Sequence, residues 1–262
     1  MEKMNTLVQS LLRTEKEEIS NLQRINAALL QMYKISVGGY LTVLPKMVDI
    51  FYSNLESKPS FVDVNMQCMF DSRTTNKEIW PLQSNRFGKL YFHQQGYGGV
   101  DLCLSDSAGY CLCATLKAAV INGEEIWSQR RIKDRILEII CEHECLLPDI
   151  PGKQQLIEKF NGPASPQVLV LREAPEQERG FVYNVPRSGI RRADKNSKAP
   201  LSSFIDLWNK KLMINNVQKI ILYMEAHPDE KDVIKVLRER NFSYIPTGIR
   251  IRYGLGNKAR IN

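Results

Sequence analysis

Residues 110–121, Tyr-Cys-Leu-Cys-Ala-Thr-Leu-Lys-Ala-Ala-Val-Ile, constrain the fold of this chain more than any other segment. A near-continuous apolar run of this length reads as a strand buried in the middle of a sheet. Such a strand needs partners on both edges, and its neighbours in sequence supply candidates. Phe61, Val62, Val64, Met66, Cys68 and Phe70 read as strand and are followed by a polar loop over 71–77. Leu90-Tyr91-Phe92-His93 and Val100 to Leu104 read as two more strands. Arg130 to Glu144 then has helical spacing, with Ile132, Ile136, Leu137 and Ile140 on one face, and stops before Pro148.

The N-terminal part has a different period. Leu22, Ile25, Leu29 and Met32 repeat at helical spacing, and Leu7, Leu11 and Leu12 extend the stripe, so residues 3–34 are expected to be helical. The stripe packs on the body or forms a dimerisation seam. Gly38-Gly39 breaks the pattern, and Tyr40 to Leu55 is expected as a second helix with Pro45 in its first turn. Leu146 to Pro166 is rich in Pro and Gly, holds a short helix at 154–160, and marks a boundary. Beyond it, 168–171 and 180–185 read as strands, 201–213 and 229–240 as helices, and 242–253 as a hairpin, with an apolar run over 217–224. The expected class is mixed α/β (α+β). It comprises N-terminal helices (1–57), a central, mostly antiparallel sheet (58–147) and a C-terminal α/β portion (148–262).

With 43% hydrophobic and 25% charged residues, the composition is that of an ordinary soluble globular protein. No stretch approaches the roughly 18–20 apolar residues of a membrane helix, and Met1-Glu-Lys-Met-Asn-Thr lacks a secretory core. A cytoplasmic location with no membrane partner is expected, and with it six reduced cysteines.

Charge is unevenly spread. From Arg179 onward there are 17 Lys+Arg and 7 Asp+Glu, which leaves 19 and 22 for residues 1–178. Arg187, Arg191, Arg192, Lys195 and Lys198 crowd one loop, and Arg250 and Arg252 would share one face of the final strand, next to Tyr253. These residues are candidates for binding DNA or RNA, because rows of cations suit phosphates and tyrosine stacks on bases. A charge-protected surface edge accounts for them equally well.

Catalytic signatures are mostly lacking. Cys141-Glu-His-Glu-Cys145 puts His143 about 200° from either cysteine on a helix, so the three do not converge on a metal, and the cysteines are expected in the core. No phosphate-binding loop, nucleophile elbow or His-Glu-x-x-His is present. Neither a metal nor a cofactor is expected. What stands out is Asn85 to Asp101, where Tyr91 and His93 alternate onto one strand face ahead of Gly96, Gly98 and Gly99. Asp71, Asp101 and Asp106 are acids that could pair with His93, making it a candidate general acid or base. A structural hydrogen-bonding role is the alternative.

Gly88-Lys-Leu-Tyr-Phe-His93, the Tyr97-Gly98 turn, Cys113-Ala-Thr-Leu-Lys-Ala118 and the helix over 132–139 together resemble the alkyladenine (3-methyladenine) DNA glycosylase family. The resemblance spans roughly residues 60–140. It implies a mixed α/β fold that flips a damaged purine into an aromatic pocket and hydrolyses its glycosidic bond. It further implies that Tyr91 is a pocket residue, that His93 takes the place of a base-stacking tyrosine, and that Asp71-Ser-Arg73 corresponds to a His-Ser-Arg stretch. The family's Glu-Thr-Glu-Ala-Tyr strand is replaced by Val62-Asp-Val-Asn-Met66, which leaves Asp63 as the candidate for the water-activating carboxylate. The expected function is thus a nucleic-acid-binding protein of glycosylase-like fold, with base excision open. The alternative is an interaction protein that self-associates, as a homodimer, or binds a partner through its N-terminal helices.

Overall fold

The computed structural model describes residues 2–12, 18–54, 63, 87–94, 98–105, 109–162, 169–174, 180–188, 198–256 and 259–261. They form a mixed α/β protein with two compact units, residues 1–205 and 206–262. The first unit begins with α1 (Glu2–Leu12) and α2 (Glu18–Met32), followed by β1 (Tyr33–Val37) and β2 (Leu41–Asn54). Next come β3 (Leu90–Phe92), β4 (Val100–Cys103), β5 (Tyr110–Ile121) and β6 (Glu124–Ile126). Two helices, α3 (Gln129–His143) and α4 (Ile150–Asn161), precede β7 (Leu169–Glu173), β8 (Tyr183–Val185) and β9 (Ser202–Phe204). The sheet runs β3-β4-β5-β2-β1-β7; β6 adds to β5, and β9 joins β2 with β8 beside it. The apolar run read as a buried strand is β5, and its bounds are those the sequence suggested.

The second expected helix is a strand. β-Branched Thr42, Val43, Val48 and Ile50 favour the pleated form, and β2 pairs with β5 along most of its length. Pro45 sits beside a break in that ladder, where the pairing steps from Pro45/Ala119 to Met47/Ala118 to Val48/Leu116. Lys46 and Lys117 are left unopposed, so the proline occupies a bulge and not a helix start. The bulge also changes parity: Leu41, Val43, Ala119 and Ile121 face the core on one side of it, and Val48, Ile50, Tyr52, Leu112, Ala114 and Leu116 on the other.

The N-terminal pattern divides into α1 and α2, and the chain enters β1 directly at Tyr33. The α2 stripe of Leu22, Ile25 and Leu29 is fully buried in the core of this unit. Helix α3 is capped by Ser128, whose side chain accepts from the Arg131 amide. Helix α4 starts earlier than expected, because Asp149 caps it through the Gly152 amide at 2.8 Å and Pro151 fits the first turn. At its far end Asn161 reaches across to strand β3, donating to the Phe92 carbonyl (2.7 Å) and accepting from the Phe92 amide (2.9 Å). The amide side chain thus extends the sheet by one residue. Of Cys141 and Cys145, both expected in the core, only Cys141 lies there. Cys145 is exposed beyond the helix end, at φ 55°.

The second unit contains α5 (Asn216–Ala226), α6 (Val233–Glu239) and α7 (Thr247–Arg252), packed on Ile220, Met224, Val236, Leu237, Ile245 and Ile249. The expected hairpin over 242–253 is corrected to α7, in which the Arg250 amide bonds back to the Pro246 carbonyl (3.1 Å) and Ile249 meets the core. The expected helix over 201–213 gives way to β9 and turns, since Ser202–Phe204 pairs with both β2 and β8. Helix α6 begins not at Asp229 but at Val233, where Asp232 accepts from the amides of Ile234 and Lys235. Among the described residues no helix is long and apolar enough to cross a membrane.

Candidate functional site: the polar face of the sheet

Antiparallel pairing places residues directly opposite one another on the same face. In this sheet that lines up Tyr91 with Asp101, Asp101 with Thr115, Thr115 with Asp49, and Asp49 with Ser202. One polar row therefore crosses β3, β4, β5, β2 and β9. On one side of this row the same face carries His93, level with Gly99, and on the other side the facing pair Cys103 and Cys113 on β4 and β5. Asp49, Asp101, Thr115, His93 and Ser202 are all buried, where water does not satisfy polar groups and protein partners must.

At the β3 end, His93 Nε2 lies 2.9 Å from Asp101 Oδ2. The approach is oblique to the ring N–H direction, and neither ring nitrogen has an aligned hydrogen-bond partner among the described residues. The carboxylate is fixed from its other side, because Thr115 Oγ1 donates to Asp101 Oδ1 at 2.5 Å. The Tyr91 and His93 rings stand 6.0 Å apart. Lys133 of α3 donates to the His93 carbonyl at 3.2 Å, and burial pushes its ammonium below the usual lysine range. Of the acids proposed for His93, the one in place is Asp101; Asp71 and Asp106 lie outside the described residues. Gly99 matters for packing: a Cβ there would lie 3.1 Å from Gln129 Cβ and 3.5 Å from Thr115 Cγ2. Its missing side chain lets the start of α3 press against β4. Gly96 lies outside the described residues.

In the middle of the row, Asp49 Oδ2 is 3.2 Å from Lys117 Nζ, which also donates to Gln129 Oε1 at 2.9 Å. At the β2 end lies a second acid–base pair. Asp63 is anchored by its amide, which donates to Ser53 Oγ at 2.9 Å. Its carboxylate accepts from Arg187 Nη1 at 2.5 Å, and both side chains are fully shielded from solvent. Arg187 Nη1 also donates to the Ile50 carbonyl at 3.1 Å, and the guanidinium lies 4.4 Å over the Phe51 ring. Phe51 and Ser53 share the face that carries Asp49, as alternation along a strand requires.

This location corrects the expectation for Arg187. It does not belong to an exposed basic row but is a buried partner of Asp63, 124 residues away in sequence. Asp63 and His93, the two candidate catalytic residues, belong to the same sheet surface but to separate clusters, one beside β2 and one on β3 and β4. Asp71, Arg73, Arg191 and Arg192 lie outside the described residues. Arg250 and Arg252 lie on helix α7, about 200° apart around its axis, and form no common row. Arg250 donates to the carbonyls of Gly256 (2.8 Å) and Ala259 (3.1 Å), and Arg252 pairs with Glu225 at 2.5 Å. Tyr253 caps α7 and packs, partly buried, on the core of the second unit.

Sequence reasoning missed Asp49, Thr115, Lys117 and Ser202. A signal existed for two of them, since Thr115 and Lys117 interrupt an otherwise apolar strand two residues apart. Asp49 was hidden by the helical reading of 40–55, which put it on no sheet face at all. No group of three metal-ligating side chains comes together among the described residues. The sequence matches no family model and no curated protein.

Proposed function

We propose that this protein binds nucleic acid and takes a nucleobase onto the polar face of its sheet, where Asp63 serves as general base for hydrolysis of a glycosidic bond. The observation that carries this reading is the solvent-shielded Asp63–Arg187 pair on a sheet face that also presents Tyr91 and the His93–Asp101 couple. A carboxylate anchored through its own backbone amide has the fixed orientation that a general base requires. Tyr91 and His93 supply aromatic surfaces for stacking, and base chemistry of this kind requires a nucleotide turned out of its stack. The resemblance over residues 60–140 points the same way, and Asp63 stands at the position it assigns to the water-activating acid. Sequence-independent affinity is assigned to the basic residues after 178, in particular Arg191, Arg192 and Arg252.

The test has two arms. Wild-type protein is expected to release free base from alkylated DNA, and Asp63→Asn to abolish release without loss of folding by circular dichroism. Retention on DNA is expected to fall steeply with salt and to weaken on charge reversal at Arg191, Arg192 and Arg252. Absence of base release with retention intact would reduce the protein to a binder. Absence of retention as well would overturn the proposal.

A further inference from the structure

Arg187 itself and two buried polar residues near it have hydrogen-bonding atoms without a partner among the described residues. They are Arg187 through Nε and Nη2, Ser202 through Oγ, and Asp49 through Oδ1. Each residue is more than nine-tenths buried, so bulk water does not serve these atoms. Their positions are linked by the sheet. Asp49 is directly opposite Ser202, and Ser202 is opposite Val185. Because β8 runs parallel to β2, Arg187, two residues past Val185, comes level with Phe51, over whose ring its guanidinium lies at 4.4 Å. Phe51 is two residues from Asp49 on the same face, roughly 7 Å along the strand. The unpartnered atoms thus gather in one small region.

Their chemistry is specific. Arg187 has one edge engaged, with Nη1 on Asp63 and on the Ile50 carbonyl. The free Nε and Nη2 make up the side-on edge of the guanidinium, two parallel donors suited to an acceptor. Asp49 has Oδ2 against Lys117 and offers Oδ1 as an acceptor. The Ser202 hydroxyl serves either way. The charges of Arg187 and Lys117 are already matched by Asp63 and Asp49, so the region does not call for a further anion. Its complement is a neutral planar group with a carbonyl oxygen for the Arg187 edge and an adjacent N–H for Asp49.

We propose that Arg187, Ser202 and Asp49 form a subsite that accepts the lactam edge of an oxo-base, –C(=O)–NH–, and rejects the amidine edge of an amino-base. An amidine would turn an NH2 group toward the Arg187 donors and a ring-nitrogen lone pair toward the Asp49 carboxylate, leaving both buried groups unpaired. A site built to hydrogen-bond one pattern discriminates strongly against its reverse. The inference rests on the reading above in taking the ligand to be a nucleobase.

The experiment is equilibrium binding of two matched nucleoside pairs to the full-length protein: uridine against cytidine, and guanosine against 2,6-diaminopurine riboside. Each pair differs in whether the edge is lactam or amidine. The lactam member is expected to bind at least about tenfold more tightly, which corresponds to about 1.4 kcal/mol. Asp49→Asn is expected to shrink the preference, since a carboxamide can turn to present donor or acceptor while the Arg187 edge still selects a carbonyl. Ser202→Ala, the milder change, is expected to weaken lactam binding and keep the order. Equal affinities, no saturable binding, or a preference undiminished by Asp49→Asn would overturn the subsite. Lactam binding without base release or nucleic-acid retention would leave the subsite standing and remove the function. Base release without lactam preference would do the reverse.

Discussion

The two faces of this one sheet are built from alternate residues of the same strands, and they differ in almost everything except burial. One face presents Leu90, Phe92, Leu102, Leu112, Ala114, Leu116, Val48, Ile50 and Tyr52 to the apolar core. The other presents Tyr91, Asp101, Cys103, Cys113, Thr115, Asp49, Ser53 and the Asp63–Arg187 pair. An apolar face stabilises by removing hydrocarbon from water and by close packing. A buried ion pair in place of hydrocarbon gains little net stability, because desolvation offsets the attraction. Folding stability therefore accounts for the apolar face and not for the polar one.

Mutation can break that comparison. The largest effect is expected from splitting the Asp63–Arg187 pair: Asp63→Ala leaves a buried guanidinium uncompensated and should lower stability by about 3–5 kcal/mol in chemical denaturation. Replacing both members, Asp63→Leu with Arg187→Met, should restore stability to within about 1 kcal/mol of wild type while base release stays abolished. A double variant as unstable as the single one would mean that the pair is structural. On the opposite face, Leu116→Ala should lower stability by about 2–4 kcal/mol through lost packing and a residual cavity, and leave nucleoside binding unchanged.

A smaller effect concerns Lys133, which bridges α3 to the His93 carbonyl. Burial holds its folded-state titration below the ordinary lysine value of 10.5. Between the two titrations the unfolded chain binds more protons than the folded one, so stability rises with pH across that window and falls as pH drops through it. Lys133→Met should flatten this alkaline rise in pH-resolved melts. The smallest effect is expected at the solvent-exposed Lys235–Glu230 pair (2.7 Å). Lys235→Ala should leave the melting temperature unchanged, as surface pairs in water contribute little.

How much of this was legible depends on how local the signal is. Strand β5 and helix α3 were readable because their patterns lie within single segments, as was the placement of Tyr91 and His93 on one face. Strand β2 was not, because Pro45 fits both a helix start and a bulge, and only pairing with β5 decides between them. The choice of Asp101 over the other acids was likewise open until β3 and β4 were paired. For Arg187 no sequence signal existed. It lies in a run of cations, and local composition does not tell a buried guanidinium from a solvated one.

The sequence by itself determined that a buried strand would organise a mixed α/β chain, because the period of apolar residues is written in neighbouring positions. It also put Tyr91 and His93 on one face of a strand. The tertiary structure alone decided the polar contacts: Arg187 over Phe51 and against Asp63, Thr115 holding Asp101, and Asp49 opposite Ser202. Several of these contacts join residues more than a hundred positions apart. They follow from strand order and register, which arise from the simultaneous packing of every element and not from the pattern of any one segment.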